Sequence, residues 1–172
     1  MRYLIISILT FILMMVMQLM QIQAQDTKLT FPKSREDIIK AFQVPKFKTR
    51  GIQVVPAPKV GAMVQFAYNS DQIRSDAYAL LNIYVDVFNN KLSNLKLIIV
   101  GHTDSIGSES FNLNLSLARA HAIQNYFTVN GIDKGRLTIK GMGETQPIAS
   151  NFEESGRALN RRVEFIRRTD FY

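Results

Sequence analysis

The chain has 172 residues, of which 20% are charged and 47% are hydrophobic, and its formal net charge is +7 at pH 7. This composition is typical of a globular protein and excludes a collagen, a coiled-coil rod and a wholly disordered chain. The sequence contains no cysteine, which excludes a disulfide framework, a thiolate zinc site, a cysteine nucleophile and a lipid-modified cysteine within it.

Residues 1–24 have the pattern of a secretory signal peptide. Arg2 is the only charged residue before Asp26, residues 3–17 are almost entirely apolar, and Ala24 offers a small residue at a cleavage point. An uncleaved anchor is the alternative, but a spanning helix needs about 20 apolar residues and this run is shorter. We therefore expect cleavage after Ala24 and export. Loss of Arg2 then lowers the net charge of +7 by one.

Residues 25–58 form a proline-rich segment. Four of the five prolines lie between residues 32 and 58. Proline-rich polar segments are extended, so we expect residues 25–58 to be a poorly packed linker. One exception is predicted at Ser34–Phe42, where Ser34 followed by Asp37 can cap a two-turn helix.

Residues 59–172 are predicted to form one folded domain. Apolar periodicity predicts strands at 60–66, 95–100, 137–140 and 162–168, and helices at 69–88, capped by Asn69-Ser70, and at 111–129. Strands that alternate with helices predict an α/β fold, or α+β sandwich, in which helices pack on one sheet.

The helix predicted at 111–129 carries polar side chains on its inward side. At 100° per residue, Asn112, Ser116 and Arg119 fall together with the apolar core residues of the helix. An inward guanidinium needs a partner, because burying it unpaired is costly. Asp104 lies in the loop before this helix, and a helix N-terminus attracts anions.

Two interpretations of Asp104 and Arg119 follow. The two side chains can form the negative and positive ends of a pocket that binds the ammonium and the carboxylate of a zwitterion. Alternatively, they can satisfy each other as a structural ion pair. Spacing alone leaves both interpretations open.

Several short motifs occur in order between residues 60 and 168. They include Gly101-His-Thr-Asp104, Leu115-Ser-Leu-Ala-Arg119, Gly141-Met-Gly-Glu144 and Asn160-Arg-Arg-Val-Glu164. Together they resemble the OmpA-like C-terminal, peptidoglycan-binding domain family. The resemblance implies a βαβαβ(α)β fold with one mixed sheet. It also implies non-catalytic binding of peptidoglycan through the diaminopimelate of the stem peptide, with no cofactor and no metal.

The resemblance also assigns roles to site residues. It implies that Asp104 binds the ammonium of diaminopimelate and that Arg119 binds its carboxylate. Thr103 and Asn112 would add hydrogen bonds, and Asn69 and Arg161 would line the site. Arg161 can equally be a structural partner for Asp104 or Glu144. A departure from the family pattern is Phe111, which stands where tyrosine is more usual before Asn112.

The resemblance implies an exported protein of the periplasm, associated with the cell wall and the outer membrane. Its expected partners are peptidoglycan and other envelope proteins, whereas export and the lack of an aromatic–basic motif argue against nucleic acid. One alternative is an inner-membrane stator subunit resembling MotB, with residues 3–20 uncleaved, but residues 3–25 contain no acidic residue. Another is a wall hydrolase, for which no Gly-x-Ser-x-Gly elbow is present.

Two further sets of residues are predicted to be structural. We expect His102 to be a loop residue that hydrogen-bonds its own turn. We expect the cationic C-terminal residues to form a solvated strand face that can also meet anionic glycan or lipid: Arg161, Arg162, Arg167 and Arg168.

Overall fold

A four-stranded mixed sheet organises the part of the chain that the computed structural model describes, namely Met14 and residues 29–43, 57–67 and 69–168. The strands are β1 (Lys59–Ala62), β2 (Leu97–Gly101), β3 (Leu137–Gly141) and β4 (Val163–Arg167). Their spatial order is β1-β4-β2-β3, with β4 antiparallel to both neighbours and β2 parallel to β3. The predicted signal peptide lies outside the described residues, apart from Met14.

The helices are α1 (Arg35–Ala41), α2 (Tyr78–Asn90), α3 (Glu109–Val129) and α4 (Glu154–Asn160). Helix α3 packs on β2 and β3, and α1 packs on α2. The prediction of one mixed sheet with helices packed on it is confirmed. Within the described ranges, no helix is both long enough and apolar enough to cross a membrane.

Four aromatic rings form the centre of the core between the sheet and the helices. Phe165 on β4 contacts Tyr84 and Phe88 on α2 and Phe127 on α3, with ring centroids 4.8–6.0 Å apart. The Tyr84 hydroxyl donates to the carbonyl of Pro32 at 3.2 Å. Burial raises the pKa of Tyr84, so this hydroxyl stays protonated. Contacts within this aromatic cluster therefore connect β4 to both long helices, α2 and α3.

The described part of the proline-rich segment packs on this core. Helix α1 forms as predicted, with Ser34 as its N-cap. Ile38 and Phe42, one helical turn apart, are buried with the core of the domain. A poorly packed linker is therefore the wrong description of residues 29–43. These two side chains give α1 an apolar face, which a prediction based on proline content does not take into account.

The helix predicted to begin at Asn69-Ser70 begins instead at Tyr78, after a 3-10 turn. Residues 65–67 pair with residues 72–74, and Phe66 and Ile73 form an antiparallel bridge. Asn69 has a φ of 51°, in the left-handed region that asparagine tolerates better than most residues. The apolar spacing of this stretch does not by itself distinguish such a turn from the first turn of a helix.

Candidate functional site

All six predicted site residues line one cavity of about 390 Å³ beyond the carboxyl end of β2. They come from four separate segments, and they are Asn69, Thr103, Asp104, Asn112, Arg119 and Arg161. Sequence reasoning missed other lining residues, chiefly Phe66, Arg74, Ile106 and Glu154. The position of Phe66 could have been predicted, because Phe66 is only three residues before the predicted site residue Asn69. No sequence pattern indicates that Arg74 or Glu154 lies at this cavity.

The close approach of β2 to α3 positions the cavity. A Cβ built on Gly101 would lie 2.0 Å from the backbone oxygen of Ser116, so only glycine fits at the end of β2. The Ser116 hydroxyl accepts the N–H of Gly143 at 2.9 Å and donates to the carbonyl of Leu113 at 2.8 Å. The inward Ser116 is thus a structural link between α3 and the loop after β3.

Asp104 forms the negative end of the cavity. One carboxylate oxygen accepts the N–H of Ile106 at 3.1 Å, which fixes the local turn. The other accepts a terminal nitrogen of Arg161 at 2.7 Å. Among the residues described, the ion-pair partner of Asp104 is therefore Arg161. The alternative interpretation, in which Asp104 and Arg119 form a structural ion pair with each other, is wrong.

Arg119 forms a positive end and is 7% exposed. Its Nε donates to the carbonyl of Ser70 at 3.2 Å, and its guanidinium lies 5.0 Å from the ring centroid of Phe66, a cation–π distance. Burial lowers the pKa of Arg119 and the Asp104 carboxylate opposes this, yet arginine stays charged in proteins. Its two terminal nitrogens make no hydrogen bond to any described residue, which leaves them available to a ligand.

Two smaller polar groups complete the wall between these charges. Thr103 is 4% exposed, and its hydroxyl has no hydrogen-bond partner in the described part of the chain. Buried hydroxyl groups are rarely left unpaired, so this one is a candidate ligand contact. Asn112 is also buried, and its amide donates to the carboxylate of Glu144.

Arg161 bridges two carboxylates at the cavity mouth. It bonds Asp104 through one terminal nitrogen and Glu154 through the other. Burial alone would lower the pKa of Arg161, but these two bonds outweigh it and raise the pKa. Hydrogen bonds from Arg161 and Arg157 lower the pKa of Glu154. The cavity thus combines three arginines, including Arg74, with two carboxylates.

His102 lies behind the cavity, and its surroundings differ from the prediction. Its side chain is 1% exposed and faces Glu164, with Nε2 and Oε1 3.5 Å apart, instead of bonding its own turn. Arg162 was predicted on a solvated face but is 3% exposed, and its Nε donates to Glu164 at 2.8 Å. The prediction that Arg162 lies on a solvated strand face is wrong. Arg162 can be buried because the buried Glu164 carboxylate compensates its charge.

The stability of the fold should fall with decreasing pH in two steps. Burial lowers the pKa of His102 from 6.5, so the unfolded chain takes up a proton before the folded chain does, and stability declines as the pH falls through 6.5. Burial opposes ionisation of Glu164, but contacts with His102 and Arg162 outweigh it and lower the pKa from 4.5 to about 2. The contribution of this carboxylate is therefore present above pH 4.5 and is lost towards about pH 2.

Urea unfolding across the pH range measures this dependence. We expect His102→Asn to remove most of the slope around pH 6.5. His121→Asn, at the exposed histidine of α3, is the matched control and should retain the slope. An unchanged slope in His102→Asn would contradict the assignment.

The comparisons with known proteins identify the family of the chain. The sequence profile of the OmpA family matches residues 65–161. Outer membrane porin F of Pseudomonas aeruginosa is 33% identical over 112 residues, which are 64% of this chain and 32% of the porin, so the match spans about a third of that relative. The peptidoglycan-associated lipoprotein of the same species is 31% identical over 99 residues, 58% of each chain.

Solved structures give the same fold. A MotB-like protein from Desulfovibrio vulgaris superposes with a TM-score of 0.58 and 28% sequence identity. The match covers 66% of this chain and 74% of that protein.

Proposed function

Because the chain belongs to the OmpA family, we propose that it is a non-catalytic peptidoglycan-binding module that tethers the cell envelope to the wall. The ligand is the diaminopimelate of the stem peptide. The observation that carries the proposal is the cavity that holds Asp104 together with Arg119, whose terminal nitrogens have no partner among the described residues. The name of the peptidoglycan-associated relative supports the same ligand class.

The side chain of diaminopimelate ends in an ammonium and a carboxylate, which match the two ends of the cavity. The carboxylate binds the terminal nitrogens of Arg119, a fork suited to two parallel hydrogen bonds. The ammonium binds Asp104 and shares that carboxylate with Arg161, since each carboxylate oxygen can accept more than one hydrogen bond. The Thr103 hydroxyl gains the partner that it otherwise lacks.

A second candidate is an inner-membrane stator subunit, favoured by the structural match to a MotB-like protein. Both candidates place the domain in the periplasm and on the wall, but they differ at the N-terminus. Mass spectrometry of the protein recovered from cells separates them. A mature chain that begins at Gln25 supports the exported tether, whereas a chain that retains residues 3–20 supports the anchored subunit.

Co-sedimentation with purified sacculi tests wall binding. Wild type should pellet, and Asp104→Ala and Arg119→Ala, each checked for folding by circular dichroism, should stay in solution. Asn114→Ala, on the exposed face of α3, is the control and should pellet like wild type. If all variants pellet alike, the net positive charge binds the wall without the cavity. If none pellets, the cavity does not bind the wall.

A further inference from the structure

Phe152, in the loop before α4, exposes an aromatic ring beside the candidate site. It is 95% exposed, more than any other large apolar residue in the described ranges. Single exposed apolar residues are common on protein surfaces, so exposure alone indicates no function. The position of this loop and the way it is held in place both indicate a binding contact.

The Phe152 loop lies against the loop that follows β2. The N–H of Ser105 donates to the side-chain oxygen of Asn151 at 3.3 Å. Ile106 and Phe152 each directly follow one of these two hydrogen-bonded residues, and Ile106, which is 63% exposed, lines the cavity. Phe111 lines the same cavity and is 40% exposed. The cavity therefore has an apolar rim, and Phe152 lies beside that rim.

The backbone of the Phe152 loop is held in a fixed position. A terminal nitrogen of Arg157 donates to the carbonyls of Asn151 and Phe152, at 3.0 Å in each case. A Cβ built on Gly156 would lie 1.9 Å from the backbone oxygen of Ser150, so only glycine lets α4 pack this closely on the loop. The loop thus presents the Phe152 ring to solvent from an ordered backbone, which lowers the entropy cost of a contact with a ligand.

We infer that the Phe152 ring packs on an amino-sugar ring of the glycan strand while the stem peptide occupies the cavity. The inference rests on the proposed function, since it requires diaminopimelate to be bound by Asp104 and Arg119. Diaminopimelate is the third residue of the stem peptide, so two residues separate it from the glycan. At about 3.5 Å each, these two residues span roughly 7 Å, and the first sugar then lies outside the cavity, at its rim.

The chemistry of a sugar suits an exposed aromatic ring. One face of a pyranose ring carries mainly C–H groups, whose hydrogens are slightly positive, whereas the face of an aromatic ring is slightly negative. Stacking removes both apolar surfaces from water, and the sugar hydroxyl groups at the ring edge stay hydrated. The sugars that carry the stem peptide are uncharged, so they gain more from this apolar contact than from the charged groups of the cavity.

Isothermal titration calorimetry on the protein recovered from cells tests the inference with two ligands: the diaminopimelate-containing tripeptide, and the same tripeptide joined to its disaccharide. Wild type should bind the disaccharide form at least about five-fold more tightly, the usual effect of one aromatic anchor. Phe152→Ala should reduce this preference to less than about two-fold and leave the affinity for the tripeptide unchanged. Phe152→Tyr keeps the ring and should retain the preference.

The matched control is Val129→Ala, at an apolar residue that is 81% exposed at the end of α3. Val129 lies 17 residues after Asn112 on this helix, roughly 25 Å away, so the variant should retain the preference. Circular dichroism checks that each variant is folded.

Three results would overturn the inference and leave the proposed function standing. They are equal affinity of wild type for the two ligands, an undiminished preference in Phe152→Ala, and an equal loss of affinity for both ligands in Phe152→Ala. The second result would assign the exposed ring to another contact, such as a protein partner. Failure of wild type to bind either ligand would overturn the proposed function and, with it, this inference.

Discussion

Arg119→Ala should weaken the binding of a diaminopimelate-containing muropeptide by at least about 30-fold, because truncation of one partner of a buried, hydrogen-bonded charge pair costs about 2–5 kcal/mol. The effect is large because Arg119 is 7% exposed, so the ligand carboxylate would lose the charge and the hydrogen bonds of a buried guanidinium. Arg119→Lys should recover only part of the affinity, since an ammonium keeps the charge but not the planar fork.

Isothermal titration calorimetry with the soluble muropeptide measures these affinities. Asn114→Ala, on the solvent side of the same helix, is the matched control and should bind like wild type. Thermal unfolding of each variant checks that the fold is retained, since Arg119 also bonds the carbonyl of Ser70. A folded Arg119→Ala that binds within three-fold of wild type would remove Arg119 from the site.

Gly101→Ala should have the largest effect on folding of the substitutions considered, a loss of about 3 kcal/mol in the free energy of unfolding, at the upper end of the usual cost of overpacking. The added Cβ would lie 2.0 Å from the backbone oxygen of Ser116, and neither backbone can yield without moving α3 away from β2. The same movement would separate Asp104 from Arg119, so any folded fraction should also bind the muropeptide poorly.

Urea unfolding of Gly101→Ala beside Gly135→Ala measures this effect. At Gly135 the nearest atom to a new Cβ is a side-chain oxygen of Asp133 at 3.4 Å, an ordinary contact, and the backbone φ is not positive. We expect Gly135→Ala to stay within about 1 kcal/mol of wild type, as surface substitutions usually do. Similar unfolding free energies for the two variants would contradict the close packing of β2 on α3.

Most of the sheet could be predicted because the apolar pattern of a strand is local information. The run at 95–100 identifies β2 without reference to the rest of the chain, and Asn130-Gly131 marks the end of the helix predicted at 111–129. The start of α2 could not be predicted in this way. It depends on the pairing of Phe66 with Ile73, which brings residues 65–67 against residues 72–74 before the helix begins.

The residues of the candidate site also divide into those that local sequence predicts and those that depend on distant parts of the chain. The inward position of Arg119 and Asn112 follows from helical periodicity, and both are buried. The pairing of Asp104 with Arg161 joins residues 57 positions apart, and sequence could offer it only as one of several options. The cation–π contact of Arg119 with Phe66 links α3 to the turn before α2, and nothing in their spacing indicates it.

The most direct test of the proposed function compares two muropeptides that differ only in the third residue of the stem peptide, diaminopimelate in one and lysine in the other. Lysine lacks the side-chain carboxylate, so Arg119 would lose its ligand partner while Asp104 keeps the ammonium. We predict that the diaminopimelate form binds at least about 30-fold more tightly, in line with the cost of an unpaired buried charge. Equal affinity for the two muropeptides would contradict recognition of the zwitterion by Asp104 and Arg119.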